Sequence, residues 1–439
     1  MKEFFYIETL GCSKNEVDSQ QIAGILIEKG YEQTLDALLA DIIIINTCTF
    51  ILDAKEQSIE AILQLSDLKR DGQAKKLVVT GCMSQRYGQE LMMELPEIDA
   101  MIGTGNLQSI VNAVEAEERF LDVSGMNQPY LEDAVRILPG MKATRYVKIA
   151  EGCNKNCSYC IIPSVRGSLR SRSIEAVVSE VEKLVEEGAK EIVLIAQDTT
   201  RFGADWAGTP QLAQLLARLD ALPGRFWIRV FYMYPEGITD EVLSIFKDAN
   251  HLLPYFDLPV QHANNKVLRD MNRASNQSSI EDLVEKIRKL LPEAIIRTTF
   301  IVGFPGETEE EFEDLNQFVR RVPFDKVGVF PYSPEEGTPA ALRPDQIPEE
   351  VKLNRKDKLM QTQVEVSTGR VARWLFQEMD AIIEEWDKEA DVMIARTWVD
   401  APEIDGIVIL PVDPDLQVGD WARIRIIETN EYDMRGEYR

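Results

Sequence analysis

The sequence predicts an α/β chain in three parts: an open parallel sheet, a partial β/α barrel and a small all-β barrel at the carboxyl end. Three observations predict it. Short apolar strands alternate with helix-like stretches over the first 125 residues or so. After a polar break the alternation resumes and runs to about residue 335. From about Leu375 the pattern changes to short strands punctuated by proline and glycine. With roughly 100–200 residues per domain, a chain of 439 residues implies two to four domains.

In the first part, strands are expected at Phe4–Thr9, Asp41–Asn46, Lys76–Thr80 and Ala100–Gly103, with helices at Glu16–Lys29 and Asp53–Leu65. That order implies a parallel sheet covered by helices on both faces. Three of the strands end at a cysteine, in Leu10-Gly11-Cys12, Asn46-Thr47-Cys48 and Thr80-Gly81-Cys82. Sites in open parallel sheets form beyond the carboxyl ends of strands. Cys12, Cys48 and Cys82 therefore either meet at one sheet edge or are three buried structural thiols. A polar stretch from Ser124 to Lys142, with Gly125, Pro129, Pro139 and Gly140, reads as a linker. The expected division is residues 1–125, a linker 126–141, a core 142–374 and a terminal domain 375–439.

Strands of the core are expected at Tyr146–Ala150, Glu191–Ala196, Phe226–Phe231, Tyr255–Val260, Ala294–Val302 and Val327–Pro331. Six such units suggest a full or partial TIM-like barrel, with its site at the carboxyl ends of the strands. A polar helical connector follows at about Pro348–Arg373. Terminal strands are expected at Ala381–Glu384, Val392–Thr397, Ile407–Leu410 and Trp421–Ile427, separated by Pro402, Gly406, Pro411, Pro414 and Gly419, as in a small OB-like barrel.

Composition narrows the function. Hydrophobic residues make up 45% and charged residues 28%, as in ordinary soluble globular proteins. Apolar runs such as Ile42 to Ile45 are far too short to cross a bilayer. Met1 to Cys12 lack the layout of a secretory signal, so a reducing cytoplasm is expected. A net charge of −26 disfavours phosphate backbones and favours basic proteins as partners. Six cysteines with only two histidines weaken a mixed zinc site and leave iron–sulfur chemistry for clustered thiolates.

The most specific motif is Cys153-Asn154-Lys155-Asn156-Cys157-Ser158-Tyr159-Cys160, after the first barrel strand. Cysteines spaced by four and three wrap one small cluster. A four-iron cluster has four corners and this loop supplies three thiolates, so one iron stays open to an outside ligand. The amino and carboxylate groups of S-adenosylmethionine suit that vacancy, and an electron from the cluster then breaks a carbon–sulfur bond to release a deoxyadenosyl radical. A structural zinc loop or a plain electron-transfer cluster is the competing reading.

The Cys-x3-Cys-x-aromatic-Cys loop, with Tyr159 as the aromatic, resembles that of radical S-adenosylmethionine enzymes. Glu151-Gly152-Cys153 through Cys160-Ile161-Ile162-Pro163, with Arg166-Gly167, is similar to methylthiotransferases in particular. So are Gly11-Cys12-Ser13-Lys14-Asn15 with Asp18-Ser19, Asn46-Thr47-Cys48 and Thr80-Gly81-Cys82, and the resemblance spans the whole chain. It implies that Cys12, Cys48 and Cys82 hold a second four-iron cluster that carries an extra sulfur. One S-adenosylmethionine then gives the radical and another the methyl group. It places cofactor contacts at Tyr159, at Gln197-Asp198 and at Gly303 and Gly306 of Ile301-Val302-Gly303-Phe304-Pro305-Gly306-Glu307, although such a turn is often just a loop. Gln261 and His262 of Pro259-Val260-Gln261-His262, and Arg273 of Met271-Asn272-Arg273, match motifs facing the substrate; a lone histidine is often only a satisfied structural residue.

The family acts on an adenosine of transfer RNA or on an aspartate of the small-subunit ribosomal protein uS12. Three runs resemble the ribosomal-protein group: Phe50-Ile51-Leu52-Asp53-Ala54-Lys55-Glu56 with Ser58-Ile59-Glu60-Ala61, Gln85-Arg86-Tyr87-Gly88 with Glu90-Leu91, and Ala401-Pro402-Glu403-Ile404-Asp405-Gly406. Terminal barrels of this TRAM type bind RNA when basic. From Leu375 onward 17 acidic and 6 basic residues leave a net −11, which suits a basic protein substrate unless the acid is merely solvated surface. Trp386, Trp398 and Trp421 are candidates for interface anchors or, more simply, core packing. The resemblance also implies a reductant such as flavodoxin or ferredoxin and a separate sulfur donor. A transfer-RNA enzyme is the alternative, and a non-enzymatic electron carrier a third, although a carrier needs neither the length nor the barrel.

Overall fold

The four buried isoleucines of Ile42–Ile45 show how the first sheet is built. In the computed structural model, Ile42 and Ile44 join a core on one face of the sheet, whereas Ile43 and Ile45 join a second core on the other. Successive side chains of a strand point to opposite faces, so a run of four isoleucines is stable only where both faces are covered. The structure describes all residues except 1, 73, 129, 131, 133–135 and 138–142, and most of the expected linker therefore lies outside the described residues. The chain divides into two compact units, residues 1–139 with 148–156 and 160–176, and residues 140–147 with 157–159 and 177–439.

The sheet of the first unit comprises β1 (Phe4–Thr9), β2 (Glu32–Gln33), β3 (Ile42–Thr47), β4 (Lys76–Gly81), β5 (Ala100–Ile102) and β6 (Phe120–Asp122), in the order β2-β1-β3-β4-β5-β6. Every pairing is parallel. Helices Ser13–Glu28 and Ile110–Glu115 supply residues to one core, and helices Leu52–Arg70 and Cys82–Glu94 to the other. The four expected strands are present within a residue at each end. The pattern did not reveal β2 and β6, which span two and three residues and bury no side chain fully.

Strands β7 (Thr144–Lys148), β8 (Ala150–Glu151) and β9 (Arg170–Ser171) come next; β8 and β9 form a small antiparallel ribbon. The second unit continues with β10 (Glu191–Ile195), β11 (Trp227–Val230), β12 (Leu252–Gln261), β13 (Ile295–Val302) and β14 (Lys326–Pro331). These strands form one six-stranded sheet in the order β14-β13-β12-β11-β10-β7, an unclosed β/α barrel of the expected kind. The connector is helix Glu349–Val371.

Strands β15 (Glu378–Asp387), β16 (Val392–Thr397), β17 (Val408–Pro411), β18 (Trp421–Thr429) and β19 (Met434–Tyr438) close into a five-stranded barrel. The pattern missed β19 because Met-Arg-Gly-Glu-Tyr has no β-branched residue; it is held by pairing with β17 and β18 instead. Buried ion pairs fasten this barrel to the sheet. Glu191, the first residue of β10, is fully buried and accepts from Arg229 of β11 at 2.8 Å and from Arg396 of β16. Lys326, the first residue of β14, meets Asp400 at 2.5 Å, and the Tyr255 hydroxyl donates to Asp405 at 2.6 Å. Both acids flank or lie in the run Ala401–Gly406, so that run packs against the entry ends of the strands, away from their carboxyl ends. Trp398 and Trp421 also pack inward, edge-on to Trp374 and Trp227, while Trp386 is half exposed. Among the described residues no helix is long and apolar enough to cross a membrane.

Candidate active site

In the first unit, strand register brings the amino-terminal cysteines together. β1, β3 and β4 are neighbours, and Thr47 pairs with Gly81, so Cys48 and Cys82 each stand one residue beyond the same rung. Adjacent strands lie about 4.8 Å apart. Cys12 follows β1 across Gly11, whose φ of +92° turns the chain toward β3. A side-chain carbon at Gly11 would lie 3.0 Å from the Cys48 sulfur. Asn15 fixes the edge by donating to Leu10 O at 2.7 Å and Thr47 O at 3.1 Å.

All six cysteines are free thiols. Burial pushes the Cys82 thiol up to about 11 against the pull of the Arg166 charge, and burial also raises Cys48. Cys12 acts on both of them and Cys48 acts on Cys82, as expected of three sulfurs in one cleft. Among the described residues no three His, Cys, Asp or Glu side chains are grouped to hold a single metal ion. Three thiolates that each bind a different iron of one cube need not converge on a point. The donor set fits such a cube: three soft sulfurs at one edge, with the Arg166 Nε–H donating to Cys82 Sγ at 3.3 Å.

The loop of the second cysteine set is divided between the units: Cys153 and Cys160 belong to the first, Cys157 and Tyr159 to the second. In the first unit Cys153 N donates to Gly167 O at 3.0 Å, and Lys155 N approaches Cys153 Sγ at 3.4 Å. In the second unit Ser158 is pinned on both sides: its N donates to Met271 O and its hydroxyl to Asp270 O, and its carbonyl accepts from Ala340 N. Tyr159 packs against a small apolar cluster of Val267, Met271, Phe304, Tyr332 and Ala340. Buried Arg273 stacks over Tyr234 at 4.2 Å, donates to Pro259 O at 2.6 Å and brings Nη1 to 3.9 Å from Cys157 Sγ.

The other expected contacts line the carboxyl ends of the strands in the second unit. Gln197 and Asp198 follow β10 and are buried; Asp198 accepts from Thr200 N at 3.1 Å. Gln261 ends β12 at φ +76°, and Tyr232 and Asn272 also hold positive φ. Non-glycine residues in that region are strained by roughly 1–3 kcal/mol each and concentrate at functional sites. Gly303 and Gly306 follow β13. Glu307 organises that turn, because one of its carboxylate oxygens accepts from both Gly303 N and Phe304 N. His262 is fully buried. Its Nδ1 accepts from Asn264 N at 2.9 Å, which leaves the proton on Nε2, 3.7 Å from the other Glu307 oxygen. His251 stacks on Phe226, with its ring nitrogens 3.1 and 2.8 Å from the Phe226 and Leu222 carbonyl oxygens. Sequence reasoning assigned no role to Arg166 or Glu307, although both stand in the quoted motifs.

The family description Uncharacterized protein family UPF0004 matches residues 4–103, the radical SAM superfamily residues 147–319 and the TRAM domain residues 377–438. The ribosomal protein uS12 methylthiotransferase RimO of Desulfitobacterium hafniense is 44% identical over 98% of this chain and 97% of its own length. That of Geobacter sulfurreducens is 45% identical over 99% and 98%. The chain belongs to the RimO family. A solved structure of the radical S-adenosylmethionine methyltransferase TsrM from Kitasatospora setae, with cobalamin and an iron–sulfur cluster bound, covers 78% of this chain and 77% of its own at 14% identity and a TM-score of 0.59, a likeness of fold. The RimO relatives match end to end, so the family assignment takes in both cysteine sets and the terminal barrel.

Proposed function

We infer that this chain catalyses radical methylthiolation of the β-carbon of an aspartate in ribosomal protein uS12. The observation that carries this reading is identity of 44–45% with uS12 methylthiotransferases over 98–99% of the chain; the spacing of Cys153, Cys157 and Cys160 and the strand ends that precede Cys48 and Cys82 support it. In this reading Cys153, Cys157 and Cys160 hold one four-iron cluster and Cys12, Cys48 and Cys82 a second. When bound, the clusters and two S-adenosylmethionine molecules supply the radical, the sulfur and the methyl group.

The chain's own residues bind, orient and shield. Tyr159 and the Phe304 cluster form an apolar wall beside the cysteine loop. Gln197, Asp198, Gly303 and Gly306 line the cofactor edge, with Glu307 holding the turn through the Gly303 and Phe304 amides. Gln261 and Arg273 lie toward the substrate, in a site whose walls must exclude water from a reactive intermediate. The division into residues 1–125, 126–141, 142–374 and 375–439, a cytoplasmic location, a flavodoxin- or ferredoxin-like reductant and a separate sulfur donor belong to the same proposal.

The acid of the terminal barrel has two destinations. Asp400 and Asp405 face the core sheet, and Glu384 pairs with Arg396. Glu385, Glu389, Asp391 and Asp415 are exposed and available to a basic protein. The test is mass analysis of uS12 and of transfer RNA from cells with and without the gene. Loss of the methylthio mass from uS12 alone is expected; loss from transfer RNA alone overturns the reading.

A further inference from the structure

Beside the amino-terminal thiols lie four buried charges. Arg166 and Lys148 face Asp18 and Glu151, each with a side chain no more than 4% exposed. Arg166 Nη1 donates to Asp18 at 2.7 Å and to Glu151 at 3.0 Å, and Nη2 donates to Asn15 Oδ1. Lys148 binds the same two carboxylates. Within this group two cations meet two anions. Yet the Arg166 Nε–H lies 3.3 Å from Cys82 Sγ. A guanidinium is a rigid planar fork, so fixing both terminal nitrogens fixes where Nε points. Asp18, Glu151 and Asn15 thereby aim a charged donor at one sulfur, and Asn15 also ties down the sheet edge below Cys12 and Cys48.

We propose that Arg166 is a positioning residue for the second cluster: its Nε–H bond holds the Cys82 sulfur and raises the reduction potential of the cluster carried by Cys12, Cys48 and Cys82. The proposal rests on the reading of those three cysteines as cluster ligands. An added electron increases the negative charge shared by the thiolate sulfurs. A cationic donor at one of them favours the reduced form, because hydrogen bonds to sulfur are among the terms that set cluster potentials. Lysine at this position keeps a positive charge for Asp18 and Glu151 but has no fork to aim at the sulfur.

The test uses the full-length chain carrying C153A, C157A and C160A, reconstituted anaerobically so that only the second set can hold a cluster, with and without R166K. Reduction is followed by electron paramagnetic resonance at defined potentials set with dithionite. R166K is expected to make reduction about tenfold less favourable, a fall of ~59 mV for one electron. Equal midpoints in the two chains overturn the role of Arg166 and leave the ligand assignment standing. No cluster in the parent overturns the ligand assignment and this proposal with it. A second measurement needs no change at Arg166: with arginine labelled by nitrogen-15, pulsed resonance of the reduced parent is expected to show a nitrogen coupled to the cluster. Its absence overturns the proposal. A purely structural arginine would change the melting temperature and leave both readouts unmoved.

Discussion

Replacing Gly11 by alanine is expected to empty one cysteine set and spare the other. The added carbon would stand 2.8 Å from Cys48 Cβ and 3.0 Å from its sulfur, against an ordinary carbon–carbon contact of about 3.5–4.0 Å. Backbone at φ +92° costs an L-residue roughly 1–2 kcal/mol more, and overpacking of this kind adds about 1–3. The sum, about 2–5 kcal/mol, is below the stability of most domains, about 5–15 kcal/mol, so the chain stays folded and the strain is relieved by moving Cys48. Disturbing the surroundings of a metal ligand by such an amount lowers metal affinity about 10- to 100-fold. The assay is iron per chain after anaerobic reconstitution, together with 5′-deoxyadenosine and methylthiolated product. About half of the iron and nearly all of the product are expected to be lost, with deoxyadenosine formation retained, because G11A leaves Cys153, Cys157 and Cys160 unchanged. Full iron loading with normal product yield would refute the argument that Gly11 makes room for Cys48.

Glu191→Gln leaves Arg229 and Arg396 without their buried anion, and a loss of about 3–5 kcal/mol is expected in denaturant unfolding followed by the near-ultraviolet signal of Trp227 and Trp421. Beside these two arginines the Glu191 carboxyl is held below its ordinary value of 4.5 despite burial, so its contribution is complete above that value and fades as the pH falls through the lowered one. E191Q is therefore expected to show a shallower acid-induced decline than the parent below about pH 4.5; parallel curves would contradict the assignment. Glu307→Ala removes the acceptor shared by Gly303 N and Phe304 N and is expected to weaken S-adenosylmethionine binding about tenfold by calorimetry; an unchanged affinity would remove Glu307 from the site. Leu359→Ala, in the buried face of the connector helix, should cost about 2–5 kcal/mol with no change in iron content, a control for general destabilisation.

Much of this was legible in the chain itself. Ile42–Ile45 and Lys76–Gly81 read as doubly covered strands because parallel sheets demand unbroken apolar runs, and the cysteines that follow them fell at one edge by register alone. Cys153, Cys157 and Cys160 carried their own signal through spacing, whereas position alone left Cys12, Cys48 and Cys82 open between a shared edge and three structural thiols, and only the resemblance implied a second cluster. Arg166 did not, because its importance comes from carboxylates at Asp18 and Glu151, 148 and 15 residues away in sequence, that aim its fork. His262 read as a substrate contact from its motif alone; its burial and the hydrogen bond that its Nδ1 accepts from Asn264 N are matters no local pattern encodes. The acid of the terminal barrel was legible as a sum but not as a distribution: only the fold reveals that Asp400 and Asp405 are spent on Lys326 and Tyr255.

That last arrangement limits how the molecule can be re-engineered. Exchanging the carboxyl-terminal module for a more cationic one, to redirect the enzyme toward nucleic acid, would take from Glu191 its second guanidinium, from Arg229 its carbonyl acceptors and from Lys326 its anion unless the donor sequence brought equivalents of Arg396 and Asp400. A viable chimera should therefore recolour only the outward strands and keep the mating face intact.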